Sequence, residues 1–316
     1  MATPHPFHGD PDVLEVSVPV ATVWTGPEAP RDVDAAAVAN LPDVAGWAAS
    51  MDAQVRKGLN GRTLTQLLVG EAVRVLDEHG EWVQVAALGQ QSSQHGDGYP
   101  GWVRRAHLAE PAPPTDGADA FVMSRSAVCE VDDGSRYELS FGTALRVEQR
   151  ESGAVRVLLP GGRTGRVAGS DVRLSDPSDK AAQPAFAVDD ILTAARQFLG
   201  MRYLWGGTSS WGLDCSGLVH LTYRAHGVLV PRDAYDQADD VVPVPLGEVR
   251  PGDLYFFARP GERIYHVGFV TRRVSPDGTR WMLHAPESGE LIEDAPMAPH
   301  RVETLVSAGR VRPAAG

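Results

Sequence analysis

The sequence predicts an α+β fold: two small β-barrels, then a C-terminal domain in which helices precede an antiparallel sheet. Three observations lead there. Residues from about 12 to 110 and from about 119 to 174 consist of short alternating strands with glycine turns. The second stretch weakly repeats the first, "GTALRV" echoing "GEAVRV" and "AVRVLLPGGRTGRV" echoing "WVQVAAL" and "YPGWV". From about 186 to 316 the pattern changes to two amphipathic helices followed by apolar strands.

The elements follow in order. In the first region "EAVRVL" and "EWVQVAAL" alternate apolar and polar residues around a turn at "DEHG". An insert after "VWTGPEAPRD" carries a helix-like stretch, "DVAGWAASMDAQVRKGL", apolar near Val44, Trp47, Ala48, Met51 and Val55. Linkers rich in Pro, Asp, Ser and Ala separate the regions at 109–119, "AEPAPPTDGAD", and 174–185, "LSDPSDKAAQPA". In the third region "VDDILTAARQFLG" is apolar at Ile191, Leu192, Ala195, Phe198 and Leu199 and stops at Gly200. "DCSGLVHLTYRAHG" forms a second helix, with Gly227 suited to a left-handed stop. "DLYFFA", "YHVGFVT" and "RWMLHA" read as strands, the last two joined through "SPDG".

Composition bounds the function. The 316-residue chain is 43% hydrophobic and 22% charged, as in ordinary globular proteins. Its formal net charge is −12, which argues against nucleic acid or an anionic membrane surface as the main partner. No apolar run approaches the ~18 residues of a membrane span. The first twenty residues lack the basic and then apolar pattern of a secretory leader, so the expected location is cytoplasmic. No metal-ligand, phosphate-loop, dinucleotide or serine-hydrolase motif is present, and no metal or organic cofactor is expected.

The chemistry centres on one of two cysteines. Cys129 lies in the strand-like "SAVCEV" and reads as a buried small apolar residue. Cys215, in "LDCSG", opens a helix, where the dipole and unpaired N–H groups favour a thiolate and can hold an oxyanion. A nucleophilic thiol needs a base. His266 and His284 lie an even number of residues apart on the two arms of one hairpin. A turn centred near Ser275 makes them direct cross-strand neighbours, one as base and one to orient it. His220 and His226 share the helix of the cysteine and point elsewhere.

The ordered set "YLWGG…LDCSGLV…VPRDA…RPGDLYFF…YHVGFV…LHA" resembles the NlpC family of papain-fold cysteine peptidases over about 186–316. The upstream strands, with "YPGWV" as closing strand, resemble bacterial SH3-like domains. Together they resemble the dipeptidyl-peptidase VI branch, γ-D-glutamyl-L-diamino acid endopeptidases acting on murein peptides. The resemblance implies a papain-like catalytic domain behind two SH3-like barrels, with Cys215 as nucleophile, His266 as base and His284 as orienting residue. It implies that the Tyr203 hydroxyl lies near the oxyanion and that Trp205 walls the pocket. Asp214 and Ser216 would contact the peptide or cap the helix. Asp233 would pair with the free α-ammonium of an N-terminal L-alanine. Arg232 would hold the D-glutamate carboxylate, stiffen its loop or form a surface pair with Asp233. Tyr99 would line a cleft end closed by the first barrel, so that only freed peptides enter.

Two positions depart from the pattern. Leu64 stands where related chains carry an acid, with Glu71 nearby, and Ala234 stands where serine is common. Both bear on the ammonium and leave nucleophile and base intact. The expected protein is a monomeric hydrolase of free murein peptides. The competing readings are an inactive wall-binding or regulatory module and a secreted hydrolase of intact peptidoglycan.

Overall fold

The computed structural model describes residues 9–115, 119–175, 187–287 and 290–312. Positions 116–118 of the first linker and all but the first two residues of the second lie outside the described residues.

The first SH3-like unit is a seven-stranded sheet of β1 (Val13–Val16), β2 (Val20–Trp24), β3 (Thr63–Leu68), β4 (Ala72–His79), β5 (Trp82–Ala87), β6 (Tyr99–Arg104) and β7 (Leu108–Ala109). Its order is β3-β2-β6-β5-β4-β1-β7. The second unit repeats this order as β10-β9-β13-β12-β11-β8-β14. Its strands are β8 (Asp119–Val122), β9 (Ser126–Val131), β10 (Arg136–Ser140), β11 (Ala144–Glu151), β12 (Ala154–Leu159), β13 (Arg163–Ala168) and β14 (Val172–Leu174). The sequence echo therefore reflects a repeated topology: "GEAVRV" and "GTALRV" lead into the equivalent strands β4 and β11. Cys129 faces the interior of the second unit, where burial pushes its thiol up to about 11.

The insert between β2 and β3 is not one helix. It holds α1 (Ala35–Val38), α2 (Val44–Ser50) and α3 (Ala53–Lys57). Asp43 caps α2 and Asp52 caps α3, each accepting from a backbone N–H in the first turn. Asp52 competes for backbone donors more effectively than it continues a helix, so the apolar periodicity is carried by two short helices. Trp47 Nε1 donates to Asp34 at 2.9 Å and packs on Trp24.

The third region begins with α4 (Val188–Arg196) and a short ribbon of β15 (Thr208–Ser209) and β16 (Gly212–Leu213). Then come α5 (Cys215–Ala225), α6 (Ala234–Asp240), β17 (Val242–Pro243), β18 (Leu254–Phe257), β19 (His266–Val270), β20 (Trp281–His284), β21 (Glu293–Pro296), α7 (Pro299–Thr304) and β22 (Leu305–Arg310). The sheet order is β17-β22-β18-β19-β20-β21. Helix α5 is buried on nearly every side, packed on β19 and α4. Its polar residues are bonded rather than exposed: His220 Nδ1 lies 2.8 Å from Val230 O and Thr222 donates to Leu218 O at 2.7 Å.

One apolar core joins the three regions. Trp24, Trp47, Leu59 and Leu68 from the first unit, Phe141 from the second, and Leu218, Leu221, Phe256 and Phe269 from the third belong to it. Polar ties reinforce the junctions: Arg146 pairs with Glu15, Tyr137 donates to Ser17 O at 3.1 Å, and the Ser210 backbone N–H donates to Ser140 Oγ at 2.9 Å. Among the described residues no helix is long and apolar enough to cross a membrane.

Candidate active site

Cys215 is the first residue of α5. Asp214 caps the helix, its carboxylate accepting from Gly217 N at 2.6 Å. The turn is held against the loop of Gly207: a Cβ on Gly217 would lie 2.0 Å from Gly207 O. Only glycine allows that approach, which accounts for the third residue of "CSG". The backbone N–H groups of Ser216 and Val267 bear on the sulfur, so Cys215 faces the strand that carries His266.

The two histidines meet, but not as direct partners. β19 pairs with β20 at Phe269–Leu283 and Val270–Met282. Continuing that register sets His284 opposite Gly268, one pleat from His266. The turn centre lies one residue beyond Ser275, at Pro276, which shifts the pairing diagonally. The rings still share a face, as an even spacing requires. His266 Nε2 and His284 Nδ1 are 2.7 Å apart. Gly268 provides the room, because a Cβ there would lie 2.5 Å from Met282 Sδ and 2.9 Å from His284 Cβ. His284 Nε2 lies 3.4 Å from Glu293 Oε1 on β21. Glu293 was not legible as a member of the set, because β21 carries no apolar alternation to mark it as a neighbouring strand.

These contacts fit one tautomer chain, assigned from the partners of each ring. Nε2–H of His266 donates to His284 Nδ1, and Nε2–H of His284 points at Glu293. That assignment leaves His266 Nδ1 without a proton.

The electrostatics of the resting site correct the expected thiolate. Burial pushes the Cys215 thiol up to about 12, and the Asp214 carboxylate adds to the rise. The neighbouring N–H groups and Arg232 pull the other way without prevailing. Burial likewise holds His266 well below the ordinary histidine range, with His284 and Arg301 contributing. His284 is lowered to about 3 by burial, then by Arg301 and His300. The resting pair is therefore neutral thiol and neutral imidazole. The helix N-terminus alone does not outweigh the loss of water around sulfur.

Tyr203 is buried close enough to Cys215 and Asp214 for both to add to the rise that burial imposes on its phenol. Its carbonyl accepts from the buried Arg56 Nη1 at 3.0 Å, so α3 of the insert fixes this residue from behind. Trp205 is 36% exposed, its carbonyl accepting from Thr63 Oγ1 of β3 at 2.9 Å.

Arg232 is neither a surface partner of Asp233 nor a group turned to the cleft. It is 1% exposed, and burial costs are more than offset by Asp214, which keeps its guanidinium firmly charged. Nη2 donates to Asp214 Oδ2 at 2.6 Å, Nη1 to Asp214 Oδ1 at 3.1 Å and to Ser216 Oγ at 2.9 Å, and Nε to Thr65 Oγ1 at 2.8 Å. Asp214 and Ser216 are thus bound up in capping and in this clamp. The sequence could not show it, because Arg232 and Asp214 are brought together only by the α5–α6 connection.

Asp233 lies where the first unit meets the third. Its Oδ2 accepts from Tyr99 at 3.0 Å and Tyr235 at 2.6 Å, and the Gln94 amide nitrogen lies 3.2 Å away. No hydrogen bond to its Oδ1 occurs among the described residues. Tyr99, expected only to line a cleft end, thus bonds Asp233, and Gln94 and Tyr235 are additions that sequence reading missed. Glu71 takes no part: it accepts from Leu68 N at 2.8 Å and pairs with Arg224 of α5. Leu64 is half-buried, with the core of the first unit. His220 Nδ1 lies 2.8 Å from Val230 O, away from the cysteine as expected.

Comparison with known proteins gives the family and the fold. Residues 200–310 match the NlpC/P60 family, and residues 55–108 match the bacterial dipeptidyl-peptidase SH3 domain. The chain is 32% identical to a γ-D-glutamyl-L-lysine dipeptidyl-peptidase of Bacillus cereus, over 94% of this chain and 90% of that one. It is 37% identical to the protein of that name from Bacillus subtilis, over 87% of this chain and 90% of that one. The crystal structure of an NlpC/P60 family protein from Bacillus cereus superposes with a TM-score of 0.85 at 29% identity, covering 94% of this chain and 99% of the other. Sequence, fold and relatives converge: the chain is a cysteine peptidase of the NlpC/P60 family, with SH3-like units ahead of its catalytic domain.

Proposed function

We propose that the chain hydrolyses the γ-D-glutamyl-L-diamino acid bond of free murein peptides that begin with L-alanine, in the recycling of wall fragments in the cytoplasm. The observation that carries this reading is the contact of Tyr99 with Asp233. It joins the first SH3-like unit to the third region at a carboxylate with one oxygen not hydrogen-bonded among the described residues, which supports a substrate with a free amine. The names of the two Bacillus relatives support the same substrate class.

The chemistry follows from the neutral resting pair. The sulfur attacks the γ-carbonyl of D-glutamate while His266 Nδ1 takes its proton, so neither charge exists alone in the buried site. His284 accepts from Nε2–H and holds the imidazolium in orientation. The Cys215 N–H and the Tyr203 hydroxyl hydrogen-bond the oxyanion. On collapse His266 returns the proton to the departing amine of the diamino acid. Water, deprotonated by the same nitrogen, then opens the thioester and releases L-Ala-D-Glu.

The test is product analysis by mass spectrometry. L-Ala-γ-D-Glu-L-Lys and its meso-diaminopimelate counterpart should yield L-Ala-D-Glu and the free diamino acid, and purified sacculi should yield almost nothing. Efficient release of peptides from intact sacculi defeats the reading.

A further inference from the structure

Helix α5 is tied to the first SH3-like unit at both ends by one buried chain of hydrogen bonds. At its C-terminal end Arg224 pairs with Glu71 Oε1. Gln90 Nε2 lies 3.4 Å from Glu71 Oε2 and donates to Gln66 O at 2.8 Å. The Thr65 hydroxyl donates to Gln90 Oε1 at 2.7 Å and accepts from Arg232 Nε at 2.8 Å. Arg232 then grips Asp214, the cap of the same helix. Glu71, Gln90, Thr65, Arg232 and Asp214 are all buried.

The direction of this chain is fixed. Gln66 O accepts from the Gln90 amide nitrogen, so the amide oxygen is the end that faces Thr65. A hydroxyl has one proton, and Gln90 takes it, leaving the Thr65 oxygen to accept from arginine. The alternatives are weaker, since Gln66 O and Thr208 Oγ1 each lie 3.4 Å away. A guanidinium with a rigid fork is steered by any fixed acceptor at Nε, and its two Nη groups follow.

We propose that Thr65, on β3 of the first SH3-like unit, is a positioning residue for the nucleophile. Its hydroxyl, oriented by Gln90, holds Arg232 in register on Asp214 and Ser216 and so fixes the turn that presents Cys215. The first unit then does more than close one end of the cleft: it completes the support of the nucleophile. The inference rests on the reading of Cys215 as the attacking group. Asp214 and Arg232 act on that sulfur with opposite sign, so loss of register leaves the carboxylate less compensated and disfavours sulfur anion.

The experiment compares Thr65→Val, Thr65→Ser and wild type as full-length chains. Alkylation of Cys215 by iodoacetamide at neutral pH is followed by peptide mapping, which separates it from Cys129. Turnover of L-Ala-γ-D-Glu-L-Lys is measured alongside. Thr65→Val should slow alkylation about tenfold and lower kcat by a similar factor with little change in KM, as expected for a nucleophile displaced from its place. Thr65→Ser, which keeps donor and acceptor, should recover most of both. If the valine chain does not fold by circular dichroism, Thr65→Ala takes its place in the same assays. Wild-type alkylation in the hydroxyl-free variant overturns the proposal, and so does a serine variant as impaired as valine. If the substrate assignment is wrong, wild type cleaves nothing while the alkylation series still reports on the thiol.

Discussion

His284 Nδ1 sits 2.7 Å from His266 Nε2, both rings buried and both held below the ordinary histidine range. Two imidazolium ions cannot share that contact, so one ring serves as acceptor while the other carries the proton. His284→Ala should lower kcat about 10²-fold or more with a smaller change in KM, since orientation of the base is lost and ground-state binding is not. His284→Gln, which retains an acceptor on a similar reach, should fall between alanine and wild type. Steady-state kinetics on the tripeptide distinguish the three, and equal activity of all would remove His284 from the mechanism.

The acid limb of kcat/KM should lie below the ordinary histidine value of ~6.5, because burial opposes the charged form of His266. A pH–rate profile with its acid limb above that value contradicts a neutral resting imidazole.

Gly268 faces His284 across the ladder, and a Cβ there would collide with Met282 and His284. Gly268→Ala should destabilise the domain by about 1–3 kcal/mol through overpacking. It should also lower kcat, because the displaced neighbour is the orienting ring. Unfolding midpoints and kinetics on the same preparation check both. An alanine variant with wild-type stability and rate would mean that the strand spacing leaves room that the close contacts deny.

Asp233 has one oxygen committed to Tyr99 and Tyr235. Asp233→Asn should lower kcat/KM for peptides with a free amine about 10–100-fold, the worth of one charge-assisted hydrogen bond. Tyr99→Phe should cost less, about 3–10-fold, since Tyr235 still holds the carboxylate. Neither change should alter the alkylation rate of Cys215. A loss of thiol reactivity in Asp233→Asn would show that the carboxylate acts on the nucleophile instead.

Burial lowers His220 and His284 to about 3 in the folded chain. In the unfolded chain each returns to ~6.5, so the unfolded state binds more protons between the two values. The stability that neutral burial provides is complete above pH ~6.5 and declines as pH falls from there towards 3. One such histidine should cost about 2 kcal/mol by pH 5. Urea unfolding at pH 7 and pH 5 measures the decline, and His220→Gln should reduce its slope by about one proton. A slope unchanged by that substitution would place the proton uptake elsewhere.

The repeat of the two SH3-like units was legible because strands and turns write a short-range pattern. The helix of Cys215 and the pairing face of the histidines were legible for the same reason: periodicity and an even spacing suffice. The register was not, because a shift of the turn centre by one whole residue moves the pairing by two and leaves the alternation of "YHVGFVT" and "RWMLHA" intact. The stretch "DVAGWAASMDAQVRKGL" divides into two helices because Asp52 caps more strongly than its neighbours propagate. Arg232, Thr65 and Gln90 were invisible as a group. They come from three distant segments, and each looks like a surface polar residue until tertiary packing buries it. The state of the thiol also needed the fold, since the helix end that favours an anion is local whereas the burial that opposes it is global.

The most direct measurement is the rate of cleavage of L-Ala-γ-D-Glu-L-Lys with a free and with an acetylated N-terminus, in wild type and in Cys215→Ala. The account predicts rapid release of L-Ala-D-Glu from the free peptide and at least ~100-fold slower cleavage of the acetylated one, which lacks the ammonium and meets the barrier at Tyr99. Turnover by the alanine variant should be undetectable. Equal cleavage of both peptides, or activity that survives loss of the thiol, contradicts it.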